Sequence, residues 1–148
     1  MYDNGALVPI RPVVPVVPRH RVWLFPEHEA VKPLPPCPSS PNCVSTQATD
    51  HAHGIAPYRF QKNLDAAKTM LKAIVAGLPR TKLVEETEVS LRYEFTSALL
   101  RFVDDVEFVF DEDHRTIHFR SASRTGYSDL GVNRRRMEDI RALSEGKL

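Results

Sequence analysis

No stretch of the 148-residue chain holds the ~18 consecutive apolar residues of a membrane-spanning helix. A charge excess is missing too: the formal net charge is +1, which leaves no global electrostatic footprint for nucleic acid. The one arginine cluster, Arg134 to Arg136, has no interleaved aromatics and is not a basic stripe, so nucleic acid is not an expected partner. The serines lack the G-x-S-x-G setting of a nucleophile elbow. No internal repeat is present. The N-terminus, MYDNGALVPIRPVVPVVPRHR, has prolines where a signal peptide carries a continuous apolar segment. No export signal is read from it. A cytoplasmic location is the default expectation, with association with the cell envelope as the alternative. Cysteine is sparse: only Cys37 and Cys43, within CPSSPNC. Three readings stay open for them: a small disulfide loop, two reduced thiols, or part of a metal site. An absent export signal argues against the first, and the spacing matches no zinc pattern.

Apolar residues make up 42% and charged residues 26%, ordinary values for a soluble globular protein of one domain plus an extension. The extension is an arm at about residues 1–42, in which Pro9, Pro12, Pro15 and Pro18 keep a polyproline-like phase. Proline fixes φ and removes a donor, so neither a helix nor a central strand is expected there. Trp23, Leu24 and Phe25 make the arm more apolar than a bare linker requires. The domain is expected at about 43–148.

Val44 to Phe60 reads as loop. Asp50, His51 and His53 lie close together in it, but no third ligand stands at a metal-like spacing, and Asp50 bonding its own backbone in a turn explains the group as well. Asn63 suits a helix N-cap. Leu64, Ala67, Leu71, Ile74, Val75 and Leu78 recur on one face of a helix over about 64–77, which Gly77 and Pro79 end. Four strands are expected next: Thr81 to Glu88, Ser90 to Ser97, Val106 to Asp111 and Arg115 to Ser121. Alternation of Leu91, Tyr93 and Phe95 with Arg92, Glu94 and Thr96 buries one face. Short connections force antiparallel neighbours. Pairing Phe110 with Arg115 sets Phe108 against Ile117, Val106 against Phe119, Glu107 against His118 and Asp105 against Arg120. Met137, Ile140 and Leu143 mark a closing helix at about 133–144. The expected fold is α+β: a four-stranded antiparallel sheet with a helix before it and a helix after it.

Taken together, CPSSPNCVSTQA, DHAHGIAP, RFVDDVEF and RSASRTGYSDLGVNRRR resemble the bacterial and plastid family known as domain of unknown function 1499. The likeness runs from about Cys37 to Leu143. It implies no activity, cofactor or partner. Many members that this chain resembles carry membrane or export segments at the N-terminus and work in the envelope or plastid, where this chain has its proline arm. The resemblance implies a shared polar set: Asp50 and His53, Asp104 and Asp105, and the residues of SASR and SDLGVNRRR. It gives them no role.

The polar loop from Ser121 to Asn133 and the arginines after it are the candidate site. Arg134 to Arg136 fall at the positive end of a helix dipole, where a cation is disfavoured by ~0.3–1 kcal/mol. An anionic partner is implied. It is either internal, from Asp104, Asp105 or Asp129, or an external anion held by Ser121, Ser123, Arg124, Ser128, Asn133, Arg134 and Arg136. Asp50, His53, Asp104, Asp105 and Arg120 are the supporting polar set. Asp104 and Asp105, as strand neighbours, point to opposite faces and cannot share one site. The expected function is a small non-catalytic binding or accessory module acting through residues 121–136 on an anion or a protein partner, with no cofactor and no metal. The alternative is a hydrolase-like enzyme using Asp105, His118 or a loop serine.

Overall fold

The computed structural model describes residues 31–148; the part of the proline arm up to residue 30, with Trp23, Leu24 and Phe25, lies outside the described residues. The first helix, α1, spans Leu64–Ala76. Asn63 caps it, its side chain accepting the Ala66 N–H at 2.8 Å. Ala67, Leu71 and Val75 are its buried face, with Leu64, Ile74 and Leu78 packed partly beside them.

Among the described residues the sheet has six strands, not four: β1 Cys43–Ser45, β2 Tyr58–Arg59, β3 Thr81–Glu86, β4 Ser90–Thr96, β5 Val103–Asp111 and β6 Thr116–Ser123. Their order is β1-β6-β5-β4-β3, with β2 also on β6, and every ladder is antiparallel. The two extra strands fall where loop is expected, between residues 43 and 60. They are three and two residues long and share one edge of β6. The first helix therefore follows two strands instead of leading the domain. The last helix, α2, spans Val132–Ser144. Met137 and Ile140 are buried as expected, but Leu143 is exposed, and the buried face continues to Ser144 instead.

The hairpin register is displaced by two residues from the expected one. Asp111 pairs with Thr116, so Phe110 meets Ile117 and Phe108 meets Phe119. The cause is the turn: Glu112 to Arg115 lie outside the ladder, and Arg115 takes a left-handed φ of 52°. A slip of two keeps every side chain on its expected face and changes only its partner. Glu107 thus stands across from Arg120 and not from His118, while Asp105 stands across from Ala122.

Both helices cover one face of the sheet. The core there joins Val44, Tyr58, Leu91, Tyr93, Phe95, Val106, Phe108, Phe110, Ile117 and Phe119 to the helix residues. Tyr58 and Phe119 rings lie 4.5 Å apart, and Tyr93 meets Phe108 edge-on at 6.2 Å. The other face carries Glu107, Val109 and Arg120, and residues 31–37 cross it. Leu34 is buried and its N–H donates to Gln47 Oε1 at 2.9 Å. Lys32 lies 3.6 Å from Glu107. A disulfide joins Cys37 to Cys43, with the Cα atoms 5.7 Å apart. Cys43, the first residue of β1, is fully buried. At the far side, β3 is exposed along most of its length, and its register shifts between Leu83 and Glu85.

Candidate functional site

Strand β6 ends at Ser123 and α2 begins at Val132, so residues 124–131 form the connection. Arg124 still donates its N–H to the Val103 carbonyl at 3.1 Å. Leu130 and Gly131 then take consecutive left-handed conformations, with φ of 53° and 78°. Glycine suits the second: a Cβ there would also meet Arg135 Nη1 at 3.3 Å. Asp129 starts the helix. Its carboxylate accepts the N–H groups of Gly131 at 2.9 Å and Asn133 at 2.8 Å. Burial opposes the charge, yet these N–H donors hold the carboxyl below its ordinary pKa. A carboxylate at the positive end of α2 offsets part of the penalty on the arginines that follow.

Asn133 is fully buried and is the hub of the site. Its Nδ2 group donates among Asp129 Oδ2 at 2.8 Å, Ser123 Oγ at 3.0 Å and the Asn42 carbonyl at 3.2 Å. Its Oδ1 accepts from the Ser121 hydroxyl at 2.5 Å and from Arg136 Nη1 at 2.8 Å. Arg136 then reaches Asp104 Oδ2 through Nη2 at 2.5 Å, with both side chains largely buried. Its guanidinium sits 4.7 Å from the centre of the Phe95 ring. One amide, one guanidinium and one carboxylate thus tie β1, β5, β6 and α2 together.

Asp105, on the opposite face as strand parity requires, takes a different arginine. Arg124 forks onto it at 2.7 and 2.8 Å and also reaches Glu94 at 2.5 Å, in a solvent-exposed cluster. Asp105 and Glu94 raise the Arg124 pKa further above its already high value. The remaining two arginines of the triplet are not loose at the rim. Arg134 donates to the carbonyls of Ala52 and Gly54 at 3.0 and 2.9 Å, and Arg135 to that of Leu130 at 2.8 Å. Ser128 accepts the Leu130 N–H at 3.3 Å. Arg120 is half-buried under residues 31–37, where burial lowers its pKa, and its Nε has no hydrogen-bond partner among the described residues.

Asp50 and His53 belong to the same construction. Asp50 Oδ1 accepts both the backbone N–H and the Nδ1 of His53, at 3.0 and 2.8 Å. His53 Nε2 donates to the Ser40 carbonyl at 3.0 Å. Gly54 closes this turn on the Asp50 carbonyl, which a Cβ would meet at 2.8 Å. His51 is exposed. Among the described residues, no three His, Cys, Asp or Glu side chains gather as metal ligands would. His118 lies away from the loop, its Nδ1 3.2 Å from Thr46 Oγ1.

The two histidines pull stability in opposite directions with pH. The Ser40 carbonyl, aided by Asp50, raises the His53 pKa above its ordinary value against the effect of burial. Its contribution is fully present below the unfolded pKa of about 6.5 and is lost as pH rises through the folded value. Burial lowers the His118 pKa, so its contribution is present above about 6.5 and is lost as pH falls through the folded value. His53→Gln should therefore remove the alkaline decline in urea-unfolding free energy and leave the acid-side decline. An unchanged alkaline limb would refute the role given to His53.

Two parts of this region are not visible in the sequence reading. Asn42 is buried, donates from Nδ2 to the Gly126 carbonyl at 2.8 Å and offers its own carbonyl to Asn133. A polar residue wedged between Pro41 and Cys43 was the available signal. The other is the β4–β5 connection, where Leu99, Leu100 and Phe102 are exposed; an apolar ALLRF run placed in a turn was the signal.

The fold and the site define a small α+β domain whose characteristic polar residues join a loop, two strand ends and a helix start. The chain belongs to the family described as "Protein of unknown function (DUF1499)", whose model matches residues 33–143. No curated protein and no solved structure matches the chain. Among the described residues, no helix is long and apolar enough to cross a membrane.

Proposed function

We propose that this domain is a non-catalytic binding or accessory module that presents the β6–α2 loop to a partner. The supporting observation is how the polar atoms are used. Ser121, Asn133, Asp129, Arg136 and Asp104 bond one another beneath the loop, while Tyr127 and Leu130 are left facing solvent. A site evolved to hold a small anion would keep hydroxyls and guanidinium groups available; here Ser121 and Arg136 are engaged inside, and Arg124 is held by two carboxylates. A surface contacted by a larger partner therefore fits better than a pocket for a small anion. Catalysis by Asp105 or His118 has no support in their surroundings, since Asp105 is forked by Arg124 and His118 faces Thr46.

Two measurements test this reading. A broad screen of ester, phosphoester, peptide and glycoside substrates should give no turnover above blank. Turnover that disappears in Asp105→Ala or His118→Ala would overturn it in favour of a hydrolase. A thermal-unfolding titration with sulfate and phosphate should show no specific saturable rise in Tm, whereas a saturable rise abolished by Arg124→Ala would restore the small-anion site.

A further inference from the structure

We infer that the partner is an anionic lipid surface, docked at the end of the sheet where the β4–β5 and β6–α2 loops emerge. This inference rests on the module reading and names the partner class of the same loop. Isolated exposed apolar side chains are ordinary on a protein surface; clustering is not. Among the described residues, six of the ten exposed large hydrophobics are at this end: Leu99, Leu100, Phe102, Tyr127, Leu130 and Val132. Leu99 is 89% exposed and Leu130 83%. The two loops are neighbours, since Arg124 bonds Val103 and since Ala98 and Val132 line one cleft of about 370 Å³.

The form and charge of this end favour a bilayer over a protein. The apolar residues sit on two short loops and the first residue of α2, and a stable protein interface needs a matched surface of about 800 Å² per partner. Apolar loops seat instead at the boundary of headgroups and acyl chains, ~5–10 Å deep. Arg80, Arg101 and Arg135 are exposed around them, where guanidinium groups meet lipid phosphates. The acidic groups at this end are occupied: Glu94 and Asp105 by Arg124, Asp104 by Arg136, and Asp129 by the start of α2; Asp139 borders the cleft beside Arg135 and Arg136. The hairpin turns at the opposite end mix Glu88, Glu112 and Asp113 with Arg115, and Lys68 reaches the carbonyls of Thr87 and Glu88 there. The exposed apolar residues and the arginines around them thus set which end meets the surface.

The test is flotation of the full chain with phosphatidylcholine vesicles, with and without phosphatidylglycerol. The chain should co-float only when phosphatidylglycerol is present, and less at higher salt. Each buried leucine contributes about tenfold in partitioning, so Leu99→Ser/Leu130→Ser should lower binding by about a hundredfold with Tm unchanged. Arg101→Glu should weaken binding several-fold and flatten its salt dependence. Leu99→Trp in a Trp23→Phe background should shift its emission to the blue on adding vesicles. Absence of flotation overturns the inference. So does flotation that the double serine variant retains, which would place binding elsewhere in the chain. Emission already blue without vesicles, with a doubled mass in light scattering, would assign the loops to a second copy. Each failure leaves the module reading standing if the substrate screen is blank, because only turnover bears on catalysis.

Discussion

Asp104→Ala is expected to destabilise the domain by ~3–5 kcal/mol, because it leaves the Arg136 charge buried without its counter-ion. The pair is close, at 2.5 Å, and both side chains are largely shielded from water. Asp105→Ala is the control one residue away. Its arginine is solvent-exposed and keeps Glu94, so a loss within ~1 kcal/mol is expected. Urea unfolding of the two variants makes the comparison. Asp104→Leu/Arg136→Met should recover much of the loss, since replacing both charges removes the desolvation cost along with the attraction. Equal losses for Asp104→Ala and Asp105→Ala would show that Arg136 is not held as described.

Asn133→Ala is expected to cost about 3 kcal/mol or more, since each buried group left unpaired costs ~1–3 kcal/mol. The variant takes away the acceptor of the Ser121 hydroxyl proton and one acceptor of Arg136, and it removes one of the two donors to the Asn42 carbonyl, which keeps the Ser123 N–H at 3.0 Å. The damage should not stop at stability. Asn133 and Asn42 between them hold both ends of the 124–131 connection to the sheet. Amide hydrogen exchange across those residues should therefore accelerate more than in α1, which shares none of these bonds. Uniform acceleration over the whole domain would mean that Asn133 is merely one more core residue.

What could be read from the sequence follows from where the forces are local. Helix α1 was legible because its apolar spacing, its Asn63 cap and the Gly77–Pro79 stop all lie within one short stretch. Strands β4 and β5 were legible through alternation, and so was the separation of Asp104 from Asp105 onto opposite faces. Strands β1 and β2 were not. Residues this few carry no period, and Cys43–Ser45 and Tyr58–Arg59 are extended only because β6 offers them an edge. The two-residue error in the hairpin came from Arg115, which adopts a left-handed turn position with no glycine to announce it. At the site, the polar residues were identifiable as a set, but their roles depended on burial. Nothing local distinguishes Asn133, sealed in the core, from Ser128 on the surface, because the seal is made by α2 packing on the ends of β1 and β6.

The far edge of the sheet has a consequence for how these molecules behave in a crowd. A last strand with unsatisfied backbone groups is a template on which another chain can grow. Strand β3 interrupts that template with the irregularity at Leu83 to Glu85 and with Lys82, Glu85 and Glu86 along its length. Lys68 and Lys72 reach over from α1 to Glu86, so the helix also guards the strand beside it. Only Leu83 and Val84 are apolar and uncovered there, a gap too short to start a fibril of stacked sheets.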